Sequence, residues 1–516
     1  MIKDINDVKN IFPYKISSGC NFHCVFCSGK KEKYRIIGVN NIRDDLMFLK
    51  KHGVEEIIII DQYPNLDMEY FSTFLDIVIG LNLRLHFANG IGLMHLNRDI
   101  VKKLKECTDV IYLSPEAGND KILRLLNKAF TVSLIREKLQ LLYEYGVSVK
   151  LHCMYGIPGE RKRDVIKSFK EIGEWIKNYG VKVHFQKYVP KSRMCAYVHQ
   201  RHNIDELFRK PINIQYYQPL FEYIKIIQNK DVERKLIINV SYKCNNKCIF
   251  CSVGDRERVD GDINYQIKII NDYRKKGYEL LDIDGGEPLL YPHLKKLINF
   301  ATLLGYKRIT ITTNGKMFYY REVVESLKKF KNLFILISLH SSNKRKQEFL
   351  TSTKLSFIQT ITGIKNVVNM FDHNKIGINT TITSYNYTDI LYISQLLCTL
   401  GVKTYNIQYY TPFGVVNSAL IPPKEKLKRH LIKTIDYCEH NNIQVNLINF
   451  EFCIAPELAK YMYSDYYKSE RYMLFTNGQI VNLSEYLSKR RIYRRDCYNC
   501  EFEIFCKGHW IYGKKD

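Results

Sequence analysis

Cys20-Asn-Phe-His-Cys24-Val-Phe-Cys27 packs three thiols into eight residues, and Cys244-Asn-Asn-Lys-Cys248-Ile-Phe-Cys251 repeats the arrangement 224 residues later. Three cysteines are one short of the four that close a structural metal site, and the shortfall occurs twice. The same shift of 224 carries Pro64 to Pro288 and Ser114 to Ser338, and a shift of 225 carries Asn89-Gly90 to Asn314-Gly315. Separate landmarks that hold register in this way mark an internal repeat.

Working outward from the cysteines, each copy alternates short β-rich runs with amphipathic helical stretches. The first copy predicts strands at 13–18, 55–61, 84–89, 110–116, 148–155 and 182–188. The second predicts them at 235–242, 279–284, 308–313, 333–340, 375–383 and 404–410. The run Ile57-Ile-Ile-Ile60 is continuously apolar, as expected of a parallel strand covered on both faces. Six βα units per copy predict an α/β fold: two tandem partial (β/α)6 TIM-like barrels plus a small Cys-rich C-terminal extension. The expected boundaries are 13–205 for the first core, 206–234 for a linker, 235–425 for the second core and 426–516 for the tail. Lys210-Pro211 and Gln218-Pro219 mark the linker. Ligands of such sheets collect at the C-terminal strand ends, which is where the cysteine loops and the Asn-Gly pairs fall.

The 516 residues carry a net charge of +25, 46% hydrophobic content and 15 cysteines. No signal-peptide pattern and no apolar run of about 18 residues is visible, so a cytoplasmic chain without a membrane span is expected. Clustered thiols there serve metal or redox chemistry more often than disulfides. The positive charge admits a nucleic-acid partner, but no sustained basic block accompanies it. The densest pieces are Arg161-Lys-Arg163 and Lys489-Arg-Arg491, so lysines scattered over solvated helix faces explain it better.

A Cys-x3-Cys-x2-Cys loop after the first strand of a six-unit βα sheet resembles the radical S-adenosylmethionine (SAM) superfamily. The resemblance covers residues 13–205 and 235–425. It implies a [4Fe–4S] cluster on Cys20, Cys24 and Cys27 and another on Cys244, Cys248 and Cys251. Each cluster would leave one iron open to chelate SAM, whose reductive cleavage gives a 5′-deoxyadenosyl radical that abstracts hydrogen. Phe26 and Phe250 match the family's aromatic residue beside the adenine. In the second copy, Gly285-Gly286-Glu287-Pro288 is similar to the motif that receives the SAM amino group, and Ser338 to a contact with the cofactor. His340 is either substrate-facing or an ordinary strand-end histidine. The first copy departs from the pattern, with Asp61-Gln62-Tyr63-Pro64 where the glycines would stand. Its Ser114-Pro-Glu116-Ala-Gly118, followed by Asn127-Lys-Ala-Phe-Thr131, resembles methylthiotransferase-like and B12-type branches, and makes Glu116 the implied ribose ligand. Such a first site either cleaves SAM, with Asp61–Tyr63 supplying carbonyls, or keeps its cluster for electron transfer or structure. Zinc is the alternative occupant of each cysteine loop.

In the tail, Cys497-x2-Cys500-x5-Cys506 resembles the SPASM/twitch extensions, which bind an auxiliary cluster. With Cys453 upstream it implies a third [4Fe–4S] site, the alternatives being a four-cysteine zinc site and a core thiol at Cys453. Core packing is the expectation for Cys107, Cys153, Cys195, Cys398 and Cys438, with Cys153 alone worth testing for substrate contact. The implied function is a radical SAM enzyme acting on a small biosynthetic intermediate or a peptide, with a reductant such as flavodoxin or ferredoxin. The first strand starts by residue 13, which leaves no room before it for a peptide-binding domain and favours the small molecule. Two other readings stand beside it: a tRNA- or RNA-modifying methyl- or methylthiotransferase, and a non-enzymatic metal-binding interaction protein.

Overall fold

The computed structural model describes residues 11–27, 32–188, 212, 214–228, 233–462, 469–498 and 500–512. Lys210-Pro211 and Cys195 lie outside the described residues. The chain forms two compact units, residues 1–230 with 498–504, and residues 231–497 with 505–516.

The first unit holds β1 (Ile11–Tyr14), β2 (Glu56–Ile59), β3 (Arg84–Phe87), β4 (Val110–Glu116), β5 (Ser148–Tyr155) and β6 (Lys182–Lys187). All six predicted strands are present within a few residues of the expected bounds. They pair as two parallel triplets, β1-β2-β3 and β4-β5-β6. Between β3 and β4 individual bonds replace a ladder. Thr108 Oγ1 donates to Leu85 O at 2.8 Å, and the Ile91 amide donates to Tyr112 O at 3.0 Å. The run at 57–60 is also half covered, not fully: Ile57 and Ile59 are buried while Ile60 is 45% exposed. Helices between the strands begin at side-chain caps, as at Asp67, whose carboxylate accepts from Tyr70 N, and Asn119, which accepts from Lys121 N and Ile122 N. The expected junction contains a helix, Ile214–Gln228, with Pro219 inside it.

The second unit is built on one nine-stranded sheet. Its strands are β7 (Glu233–Ser241), β8 (Leu280–Gly285), β9 (Arg308–Thr313), β10 (Leu333–Ser338), β11 (Ile376–Ile382), β12 (Thr404–Tyr409), β13 (Gln444–Ile448), β14 (Ser469–Leu474) and β15 (Ile480–Asn482). Strands β7 to β13 run parallel in chain order, β14 adds in parallel beside β7, and antiparallel β15 closes that edge. Residues 444–448 and 469–474, expected in the tail, thus extend the sheet of the core. One face carries the wholly buried Leu281, Ile309, Ile311, Ile335, Ile337, Ile378 and Ile407. Alternation turns the other face polar. There Asn406 Nδ2 donates to Asn379 Oδ1 at 2.7 Å and Asn446 Nδ2 to Asn406 Oδ1 at 2.8 Å.

Candidate cluster and cofactor sites

Both cysteine loops leave the C-terminal end of the first strand of their unit, and the same hydrogen bonds pin them. The Val25 amide donates to Leu126 O at 3.2 Å, and the Ile249 amide donates to Leu350 O at 3.0 Å. Donor and acceptor both shift by the repeat interval of 224. A second bond ties each loop one residue further on: Asn127 Nδ2 to His23 O at 2.8 Å and Lys247 N to Thr351 O at 3.0 Å. Within the loops, Cys27 N and Cys251 N donate to Cys24 O and Cys248 O, each at 3.3 Å. These turns gather the thiols. Cys27 acts electrostatically on Cys20 and Cys24, and Cys251 on Cys244 and Cys248. Burial pushes the Cys20, Cys24, Cys244, Cys248 and Cys251 thiols up, so they are costly to ionise without a cation.

Each loop has a buried lysine beside it, at non-equivalent positions. Lys316 Nζ donates to Asn245 O at 2.9 Å and to Asn246 Oδ1 at 3.3 Å. Burial pushes its ammonium down, and the Cys244 and Glu287 charges oppose this. In the first unit Lys128 Nζ lies 3.1 Å from Glu116 Oε1 and from Ser114 O, and 5.1 Å from the centroid of Phe26.

The strand-two ends differ. Gly285 has φ +130°, and a Cβ there would sit 2.2 Å from Ser241 O; one on Gly286 would sit 2.3 Å from Lys243 O. Two glycines therefore allow backbone to pass against backbone, and Gly286 N donates to Ser241 O at 2.6 Å. The Glu287 carboxylate does not face outward. Fully buried, it accepts from Thr313 Oγ1 at 2.6 Å, Asn314 N at 2.8 Å and Leu289 N at 3.0 Å, so it ties the end of β8 to the end of β9. Pro288, also buried, opens a 3-10 turn after it. In the first unit the equivalent of Gly285 is Asp61, 1% exposed, which accepts from Ile16 N at 3.1 Å and from Ser17 Oγ at 2.6 Å. Asp61 O receives Asn89 Nδ2 at 3.2 Å. Tyr63 turns its ring against Phe22, with centroids 5.0 Å apart, and its hydroxyl meets His95 Nδ1 at 3.1 Å.

The remaining predicted residues fall at strand ends. Phe250 is buried with Leu350, Tyr410 and Leu420, and His340 packs edge-on against it at 4.6 Å. Burial lowers His340 to about 4, so the ring is neutral and Nδ1 accepts the Thr381 amide at 3.2 Å. Ser338 closes β10, half-buried, with no side-chain hydrogen bond among the described residues. Glu116 is 4% exposed and holds φ +70°, a conformation side chains avoid. Burial raises its carboxyl and Lys128 lowers it. Cys153, paired in register with Glu116, is 1% exposed and belongs to the core. Cys107 and Cys438 are buried as well.

Glu160 emerges from the structure and not from the motifs. It closes the turn Gly156-Ile-Pro-Gly-Glu160 after β5, accepts from Ile157 N at 3.1 Å and from the Tyr217 hydroxyl, and is pushed up to about 8 by burial. The signal was a glycine-rich turn at a strand end carrying an acid.

In the tail, Cys453, Cys497 and Cys506 belong to the second unit and Cys500 to the first. Cys497 Sγ accepts from Arg494 N at 3.4 Å, and Cys506 Sγ accepts from the Phe452 amide. Two sets of ligand-type atoms lie within 4.8 Å of one another: Glu451, Cys453 and His509, and Asp496, Cys497 and His509.

A family model for the radical SAM superfamily matches residues 14–172 and again 238–396. The chain belongs to the radical SAM superfamily. The domain is present in it twice, and enzymes of this superfamily work with a [4Fe–4S] cluster and SAM. GTP 3′,8-cyclase of Aquifex aeolicus is 28% identical over 192 residues, covering 35% of this chain and 58% of the relative. The antilisterial bacteriocin subtilosin biosynthesis protein AlbA of Bacillus subtilis is 25% identical over 210 residues, covering 39% and 44%. The chain thus spans about half the length of the curated relatives it matches. Among solved structures, Streptococcus suis SuiB bound to S-adenosylmethionine is 19% identical, with a TM-score of 0.44, 61% of this chain covered and 82% of that one. The residues at both radical SAM loops fit a cluster: three gathered thiols that need a cation, and in the second unit a glycine cradle a Cβ would fill. No helix among the described residues is long and apolar enough to cross a membrane.

Proposed function

We propose that this radical SAM enzyme uses two SAM-dependent cores, residues 13–205 and 235–425, to oxidise or modify a polar small molecule or peptide. The observation that carries the reading is the pair of identically pinned cysteine loops, Val25 to Leu126 and Ile249 to Leu350. Cys20, Cys24 and Cys27 would hold one [4Fe–4S] cluster, and Cys244, Cys248 and Cys251 the other. When bound, a reduced cluster with SAM supplies a 5′-deoxyadenosyl radical for hydrogen abstraction.

The chain's own residues do the rest. Gly285 and Gly286 leave backbone open beside the second loop, Glu287 and Pro288 fix that turn, Ser338 offers a free hydroxyl, and Phe250 supplies an apolar wall. In the first core Glu116 offers a buried carboxylate and Phe26 an aromatic face, with Lys128 holding both. The polar face of the second sheet carries Asp284, Ser338, Asn379, Asn406 and Asn446, which suits a substrate rich in hydrogen-bonding groups. Asp284 Oδ1 is buried without a partner in the structure, an atom a bound donor would satisfy.

The name of the subtilosin protein makes a peptide one candidate, and that of GTP 3′,8-cyclase a small molecule the other. The tail would carry an auxiliary iron–sulfur cluster on Cys453, Cys497 and Cys506, with Cys500 the fourth thiol expected from the sequence. A cytoplasmic flavodoxin or ferredoxin would supply electrons.

Anaerobic reconstitution with SAM and dithionite tests the reading. About 12 irons per chain, for three four-iron clusters, and production of 5′-deoxyadenosine are expected. Separate Cys→Ala triples in the two loops should each remove about four irons. If neither triple lowers the 5′-deoxyadenosine yield, the two-core proposal fails.

A further inference from the structure

We propose that His509 is a ligand of the tail's metal centre through Nε2, completing with Cys453, Cys497 and Cys506 a three-sulfur, one-nitrogen donor set. This rests on the reading of the tail as an iron–sulfur site.

Glu451 is 3% exposed. It accepts from Lys424 Nζ at 2.5 Å, from His509 Nδ1 at 2.8 Å and from the Trp510 amide at 2.9 Å. With an acceptor oxygen facing Nδ1, the ring hydrogen of that bond sits there and Nε2 keeps the lone pair. That lone pair has no hydrogen-bond partner among the described residues, since the nearest carboxylate oxygen, Asp496 Oδ1, is 3.9 Å away. A buried imidazole whose inner nitrogen donates to a carboxylate, and whose outer nitrogen is bare, is the arrangement by which proteins orient a metal-binding histidine.

The neighbours of the ring are thiols. A ring nitrogen of His509 lies within 4.8 Å of the Cys453 sulfur, and a ring nitrogen lies within 4.8 Å of the Cys497 sulfur. Cys497 and Cys506 each already receive a backbone N–H on sulfur, the kind of bond that tunes cluster thiolates. The histidine itself is fixed in place: it is 5% exposed and sits on the strand His509–Trp510, paired in register to Arg491–Ile492. All four donors belong to the second unit. Glu451 is accordingly a positioning residue, its oxygens accepting from Lys424, His509 and Trp510 and, at 3.9 Å, from the Cys453 thiol.

The test uses the full chain reconstituted anaerobically with ferrous iron and sulfide, reduced with dithionite, and without SAM, so that no cofactor nitrogen is present. Wild type and Cys500→Ser should carry the same iron and show a directly bound imidazole nitrogen in pulsed EPR. His509→Cys should keep the iron, lose the nitrogen coupling and move the midpoint of the tail cluster to lower potential, because histidine in place of cysteine raises it. The cysteine variant guards against His509→Ala simply failing to fold. Glu451→Gln should keep the nitrogen coupling but change its size. Loss of about four irons in Cys500→Ser, or an unchanged spectrum in His509→Cys, overturns the assignment while leaving the tail cluster standing. Full iron in both Cys497→Ala and Cys506→Ala, or zinc in place of iron, removes the tail cluster itself and the assignment with it.

Discussion

Replacing Lys128 by methionine should be among the most damaging single changes in the first unit. The Lys128 and Glu116 side chains are 10% and 5% exposed, and their charged atoms are 3.1 Å apart. Removing one member of a buried pair leaves the other charge uncompensated, at a cost of about 3–5 kcal/mol. The loss of the ammonium over Phe26 adds about 0.5–1 kcal/mol. At 1.36 kcal/mol per tenfold, local opening around residues 110–131 should rise by a factor of at least a few hundred. The double variant Glu116→Gln/Lys128→Met removes both charges and should recover most of the loss. The sign with pH follows from Glu116. Burial holds its folded carboxyl above the ordinary value, and losing Lys128 raises it further. The folded variant then binds a proton the unfolded chain has released, so stability falls as pH rises above the carboxylate range. Hydrogen exchange of peptides covering 110–131 is the assay, because a two-unit chain need not unfold in one step. If Lys128→Met costs under about 1 kcal/mol and the double variant is no better, the pair is not the buried couple its exposure implies.

Three further outcomes are expected. Glu287→Ala strands two backbone amides and a hydroxyl at about 1–3 kcal/mol each; exchange at 287–290 and 313–315 should accelerate together, and acceleration at one segment alone would deny that the carboxylate joins them. Gly286→Ala puts a methyl 2.3 Å from Lys243 O, where backbone has to move; iron held by Cys244, Cys248 and Cys251, counted in a variant lacking the first loop's thiols, should drop, and full retention would show that the cradle is softer than its contacts. Glu160, pushed up to about 8 from 4.5, binds a proton in the folded state that the unfolded chain loses, so protection of the helix Ile214–Gln228 should decline as pH rises across that window. Glu160→Gln should flatten the decline, and an unchanged slope would contradict the assignment.

The strands were legible because short runs carrying apolar and aromatic residues alternate with helical stretches, and 110–116, 148–155 and 308–313 coincide with prediction. The pairing was not. Whether β3 and β4 form a ladder depends on one threonine hydroxyl at Thr108 and one amide at Ile91 finding carbonyls, and no periodicity encodes that. Strands 444–448 and 469–474 escaped because a run of five or six residues such as Gln-Val-Asn-Leu-Ile gives too few periods to tell from a loop. Among the candidate residues the cysteine spacing carried its own meaning, whereas Glu287 and Glu116 were legible as important and not as partners. Their roles come from Thr313, Asn314 and Lys128, which lie 12 to 27 residues away in sequence.

The repeat permits an internal comparison that a single domain could not. The two cysteine loops differ at three of their five non-cysteine positions, yet the bonds that hold them shift by the same 224 residues. The floor beneath them has not been kept. Gly286 reaches Ser241 O directly, backbone to backbone; in the first unit Asp61 reaches the equivalent Ser17 through its carboxylate. A side chain filling the gap that two glycines leave open puts an acid where the second unit offers bare peptide groups. The cysteine loops are thus pinned alike in the two halves while the ends of the second strands are not. On the proposed reading the halves differ where a cofactor would be presented and agree where a cluster would be held.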